Sequence, residues 1–145
     1  MADFSKLTID NTTYDVKDAS SRNSINNLIP VNLFTSASGE DGEITLSDSS
    51  ANYSYLEIYY KQQDETYSFT KVLEPNGKTI SLPVFHVTNN GYAISVSARN
   101  VTINGNKITT QATNRYMTIN LISTNALNGG GNTNKIYITK VLGYK

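Results

Sequence analysis

The chain has 145 residues, 12 lysines plus arginines balanced by 12 aspartates plus glutamates, one histidine and no cysteine. That length makes one domain that can bury a core without covalent staples. Zero net charge and the absence of a basic run argue against a general nucleic-acid binder or an anionic membrane as partner, and the missing cysteine removes disulfides and thiolate metal sites.

Only 17% of residues are charged, and the residues that build long helices are sparse. Threonine, tyrosine, isoleucine and valine fall on short segments with asparagine and glycine between them, the composition of an all-β domain. No apolar run approaches the roughly 20 residues that span a bilayer, so no membrane insertion is expected. Met1-Ala2-Asp3-Phe4 is polar and does not read as a signal peptide. The chain is therefore expected to be made and folded in a cytoplasm.

In chain order, residues 4–16 predict a hairpin turning at Asp10-Asn11, two residues that tolerate left-handed φ. Asp18 then caps a short helix over residues 19–28. Ile25, Leu28 and Ile29 fall on one face of it. A helix that short is marginal alone, so this stripe must pack on the hairpin, on the main domain or on another copy of the chain. Pro30 ends it. Residues 1–30 form an assembly or attachment segment in this reading, and residues 31–145 form the main domain.

From residue 31 onward, strand follows strand. The segments are 31–34, 43–46, 53–61, 67–73, 78–87, 92–98, 101–103, 107–110, 116–123 and 135–142. Turn signals separate them, the strongest being Glu74-Pro75-Asn76-Gly77. Pro83 marks an edge strand or a bulge. The glycine run Gly129-Gly130-Gly131 reads as a flexible loop. Strands at this spacing without intervening helices predict an antiparallel β-sandwich, jelly-roll-like, preceded by the small hairpin and helix. The predicted core is Leu56, Ile58, Ile94, Val96, Ile119, Leu121, Ile136, Ile138 and Val141.

The strongest strand signal, residues 53–60, alternates strictly. Successive strand side chains point to opposite faces. Leu56, Ile58 and Tyr60 take the core side, and Tyr53, Tyr55, Glu57 and Tyr59 form a row on the other. That row suits a structural ladder, a subunit interface or a ligand platform. Tyrosine joins an apolar ring to a hydroxyl, which matches the apolar face and polar rim of a sugar, so Tyr53, Tyr55 and Tyr59 are the candidate ligand-binding residues.

Catalysis finds little support. His86 is the one histidine, so no histidine cluster for zinc exists, and it reads as a structural strand residue. No G-x-S-x-G elbow occurs. Glu40-Asp41-Gly42-Glu43 with Asp48 lacks calcium-loop spacing, and the glycine run lacks the lysine of a phosphate loop. No catalytic residue, no metal ligand and no cofactor is assigned.

Two stretches carry a resemblance. Leu7-Thr8-Ile9-Asp10-Asn11-Thr12-Thr13-Tyr14-Asp15-Val16-Lys17-Asp18-Ala19 with Arg22 resembles a segment common in tail-fibre and baseplate-associated proteins of Gram-positive bacteriophages and prophages. Lys135-Ile136-Tyr137-Ile138-Thr139-Lys140-Val141-Leu142-Gly143-Tyr144-Lys145 resembles the closing strand of the β-sandwich tips of such fibres. The central tyrosine strand and Asn76-Gly77-Lys78 are similar in style. The resemblance implies a virion structural protein, a homotrimer that assembles with other tail or baseplate proteins and contacts a glycan or protein on the host surface. The helical stripe of Ile25, Leu28 and Ile29 would be its oligomer interface. Related fibres often hold a long coiled coil between the two ends. Here the hairpin and helix run straight into the sandwich, which points to a compact tip, a small head protein or a truncated prophage product. The alternative is a monomeric carbohydrate-binding module with no virion role.

Overall fold

A computed structural model describes residues 6–15, 19–62, 66–88, 93–111, 114–120, 127–132 and 136–145. The N-terminal hairpin pairs β1 (Lys6–Ile9) with β2 (Thr12–Asp15). Asp10 and Asn11 both have positive φ, the requirement of a two-residue turn that follows strand twist. Helix α1 (Ala19–Leu28) comes next. Among the described residues it makes no substantial contact with any strand.

The rest of the chain folds into two antiparallel sheets. The strands are β3 (Val31–Glu40), β4 (Glu43–Thr45), β5 (Tyr55–Gln62), β6 (Tyr67–Leu73), β7 (Thr79–Thr88), β8 (Ala93–Asn104), β9 (Lys107–Thr110), β10 (Asn114–Asn120), β11 (Leu127–Asn132) and β12 (Ile136–Tyr144). One sheet has the order β3-β12-β5-β6. In the other, the whole of β7 pairs with β8, whose opposite edge is shared by β9 and β10. Strands β4 and β11 then pair with β9 and β10 respectively. The protein is an all-β antiparallel sandwich with a hairpin and short helix before it. The pairs β3–β12 and β4–β9 join distant parts of the chain as a jelly roll does. The middle pairs β5–β6 and β7–β8 instead stay side by side, each within one sheet.

The core lies between the sheets. Leu56, Ile58 and Tyr60 of β5, Ile136, Ile138 and Val141 of β12, Leu82 and Val84 of β7, Val101 and Ile103 of β8 and Ile108 of β9 are buried there. Each aliphatic side chain so placed stabilises the fold by about 1.5–3 kcal/mol. Of the predicted core, Leu56, Ile58, Ile136, Ile138 and Val141 are in place, while the Ile119 side chain and Leu121 lie outside the described residues. Ile94 and Val96 are only half-buried, a departure with a clear cause. Residues 92–98 and 101–103 were expected to be separate strands, each free to choose its inward face. They form one strand, in unbroken register with β7 from Thr79↔Thr102 to Thr88↔Ala93. A strand without a bulge keeps a single parity. Val101 and Ile103 face inward, so Arg99 and Ser97 are buried with them, and Ile94 and Val96 turn outward beside the exposed Val87 and Phe85.

Two other expectations change. The polar stretch after residue 34 continues as strand to Glu40, because β12 offers it a partner through two register shifts. The glycine run is strand β11 rather than a free loop, registered against β10 with Met117↔Gly129 and Arg115↔Gly131. Glycine weakens a strand interior but still supplies both ladder groups of its backbone.

Arg99 ties the layers together. It is 3% exposed. Its Nε donates to the Gln111 carbonyl at 2.6 Å and its Nη1 to the Ile136 carbonyl at 2.9 Å. Nη1 also lies 3.7 Å from Asp41 Oδ2. One side chain thus satisfies main-chain groups where β9 gives way to β10 in one sheet and where β12 begins in the other.

Candidate binding surface

The outer face of the β3-β12-β5-β6 sheet is built by register. Residues directly opposite in an antiparallel pair share a face, and β12, β5 and β6 align in four rows. These are Tyr137, Lys61 and Tyr67; Lys140, Tyr59 and Phe69; Leu142, Glu57 and Lys71; and Tyr144, Tyr55 and Leu73. Six aromatic rings, three lysines and one carboxylate therefore meet on one side. The register shift between Ile138 and Lys140 moves Lys140 and Tyr144 onto the same face as Tyr137, which unbroken alternation would not do.

Glu57 is the centre of this face. Its Oε2 accepts hydrogen bonds from the Tyr59 hydroxyl at 2.9 Å and the Tyr144 hydroxyl at 3.0 Å. Tyr55 stacks on Tyr144 with ring centroids 4.4 Å apart, and the Lys71 ammonium stands 3.6 Å from the Tyr55 ring centroid. Tyr59 stacks on Phe69 at 5.6 Å, and Lys61 lies 5.8 Å from the Tyr67 ring centroid. The phenols respond to the carboxylate. Burial, and then the bond to Glu57, push Tyr144 up to about 12. Tyr59 is raised chiefly by its bond to Glu57. A donor bonded to an anion resists becoming an anion itself.

Tyr55 and Tyr59 therefore share the predicted row, and both are engaged in ring stacking within the sheet. Tyr53 does not join them. It precedes the strand, sits 6% exposed in the core cluster and donates its hydroxyl to Asp48 Oδ2 at 3.0 Å. Burial first, then this bond, raises its phenol. The Ser49 amide, and next the Tyr53 phenol, hold Asp48 below the ordinary carboxylate value. Alternation alone placed Tyr53 outside; Tyr53 is extended, but the chain bends at Ser54 and the ladder begins only at Tyr55, which releases that parity. The ring fills the space over Gly143, where an added Cβ would lie 2.5 Å from Tyr53 Cδ1.

The more accessible rings were not singled out by the tyrosine pattern. Tyr67 and Phe69 of β6 are 64% and 57% exposed, and Leu73 is 60% exposed. Their signal is the alternation of 67–73, which marks a strand but not which of its faces stays open. Ile25 and Leu28 of α1, and Ile29 just after it, are 57%, 75% and 59% exposed.

The His86 side chain lies outside what is described. Among the described residues no three histidine, cysteine or acidic side chains group as metal ligands. Asp41 faces Arg99, Glu43 pairs with Lys107 at 2.6 Å, and Asp48 bonds Tyr53 and Asn52. A shallow groove of about 550 Å³ on the other sheet is lined by Glu43, Lys107, Thr102, Asn104, Thr109, Thr110 and Gln111. Its one carboxylate is the ion-paired Glu43. Among the described residues no helix is long and apolar enough to cross a membrane.

Compared with known proteins, the chain is matched by no family model, no curated protein and no solved structure.

Proposed function

We propose that the chain is a structural protein of a phage or prophage tail. In this reading it is a compact, fibre-tip-like sandwich that assembles as a homotrimer in the bacterial cytoplasm and contacts the host surface by binding rather than catalysis. The sequence resemblance at both ends motivates the reading, and the order of hairpin, helix and sandwich suits it.

One observation carries it: Ile25 and Leu28 of α1, with Ile29 just after it, are exposed, and α1 makes no substantial contact with any strand among the described residues. A ten-residue helix is marginal in water without tertiary packing, and exposed apolar stripes mark association surfaces. Copies of the same stripe packed about a three-fold axis would bury it. Val31 starts β3 opposite Gly143, so α1 joins the sandwich at that end of β12; in this reading the opposite end is the one that reaches a host.

Sedimentation at micromolar concentration tests this reading. A trimer is expected, and Leu28→Asp should shift it to monomer while the strand signal in circular dichroism stays. A wild-type monomer would refute it. The second reading, a monomeric carbohydrate-binding module, is favoured by the exposed rings of Tyr67 and Phe69 beside Lys61. It requires a monomer that binds sugars, and a glycan array without hits removes it.

A further inference from the structure

Among the described residues the two sheets of the sandwich end in five edge strands; three are protected and a fourth is weakened. Strand β11 is weakened as a strand by its three glycines, while β7 carries Pro83, β4 is three residues long and the pairing of β3 is broken by two register shifts. Such devices keep an edge from recruiting foreign strands. Strand β6 has none of the four. Its seven residues contain neither proline nor glycine and run in unbroken register with β5 from Tyr55↔Leu73 to Lys61↔Tyr67. Its one charge, Lys71, is turned over the Tyr55 ring within its own sheet.

The open groups on that edge can be named. Gln62 N donates to Thr66 O at 3.0 Å and Glu74 N to Ser54 O at 2.8 Å. Bonded pairs alternate along an antiparallel ladder, so Ser68, Thr70 and Val72 bond to β5. The backbone groups of Tyr67, Phe69, Lys71 and Leu73 point to the open side. These are the same four residues whose side chains are exposed. One acceptor, Leu73 O, takes the Lys78 ammonium at 2.8 Å.

We propose that β6 is a strand-addition site, where an extended segment of a partner protein adds a fifth strand to this sheet. Backbone bonds to Tyr67, Phe69 and Lys71 supply the affinity, and side-chain spacing supplies the choice of segment. The segment is acidic at its centre. The presented face holds Lys61, Lys71 and Lys140 against the one carboxylate of Glu57, which already accepts from the Tyr59 and Tyr144 hydroxyls. Bulky apolar residues two positions either side of the acid would cover Leu73 and Phe69. This inference does not rest on the virion reading and holds for a fibre tip or a free module alike.

The probe is a yeast-displayed library of random nine-residue peptides, sorted on the full chain. Enriched peptides are expected to alternate bulky apolar residues about an acidic one, and to slow amide exchange at Tyr67, Phe69 and Lys71. Phe69→Pro removes an outward N–H that β5 does not use and should weaken binding about tenfold or more, the worth of one or two such bonds. Lys71→Glu, which leaves the backbone intact, should reverse the preference to basic peptides. The proposal is overturned by a sort that enriches nothing, by protection at other amides, or by a Lys71→Glu variant that keeps the acidic preference. Protection of the same amides without peptide, with doubling of mass, would assign the edge to a second copy and also overturn it.

Discussion

Arg99 on one sheet donates from Nη1 to the main-chain carbonyl of Ile136 on the other, at 2.9 Å. A buried cation is costly unless its surroundings satisfy it, and here two carbonyls and Asp41 do so. Removing the guanidinium strands the two carbonyls and takes the opposite charge from beside Asp41. Arg99→Ala is therefore expected to cost about 3–5 kcal/mol, the usual toll for breaking a buried pair from one side. Urea unfolding followed by circular dichroism measures it. A loss below 1 kcal/mol would show that the link between the layers is not structural.

Gly143 lies under the Tyr53 ring, with Leu33 Cδ1 2.9 Å from where a Cβ would stand. Both neighbours belong to the core cluster and have little room to retreat. Gly143→Ala should destabilise the fold by about 1–3 kcal/mol through overpacking. Pairing it with Tyr53→Leu should recover part of that loss, and a double-mutant cycle reads the coupling.

Tyr60 is fully buried, and its hydroxyl bonds both Thr70 Oγ1 and the Pro83 carbonyl at 2.9 Å. It links β5 to the edge strand β7 of the opposite sheet. Tyr60→Phe keeps the ring and leaves that carbonyl without this donor, at an expected cost of about 1–3 kcal/mol. The thermal midpoint should fall accordingly, with the strand spectrum unchanged.

Alkaline titration tests the carboxylate at the centre of the aromatic face. Tyr144 is raised from 10.0 to about 12, so the folded protein holds this proton more tightly than the unfolded chain does. The stability it contributes is complete below pH 10 and is lost as pH climbs from 10 to about 12. Phenolate absorbance should show a late-ionising tyrosine. Glu57→Gln should bring Tyr59 back toward the ordinary value and Tyr144 part of the way, leaving the part that burial imposes. An unchanged titration in that variant would remove Glu57 as a contributor.

Period-two patterning and turn chemistry are local properties, and they were enough to place most elements. Strand β6 and helix α1 fall at the predicted residues, and Asp10-Asn11 turns the hairpin through positive φ as its residue types require. Burial parity was legible only where a strand's limits were. On β5 the assignment of Leu56 and Ile58 to the core holds. On β8 it depended on whether residues 93–104 form one strand or two, and the ten-residue ladder to β7 decided that.

The sequence by itself determined the all-β class, the hairpin and helix ahead of it, and Tyr55 and Tyr59 as members of one outward row. Each follows from interactions between residues close in the chain. Only the tertiary structure decided that Tyr144 completes that row, that Tyr53 leaves it for the core, that Arg99 is buried, and that β6 is left as an unguarded edge. Those outcomes depend on which strands become neighbours and in what register, and that is set by contacts between residues far apart in the chain, such as Glu57 with Tyr144 and Arg99 with Ile136.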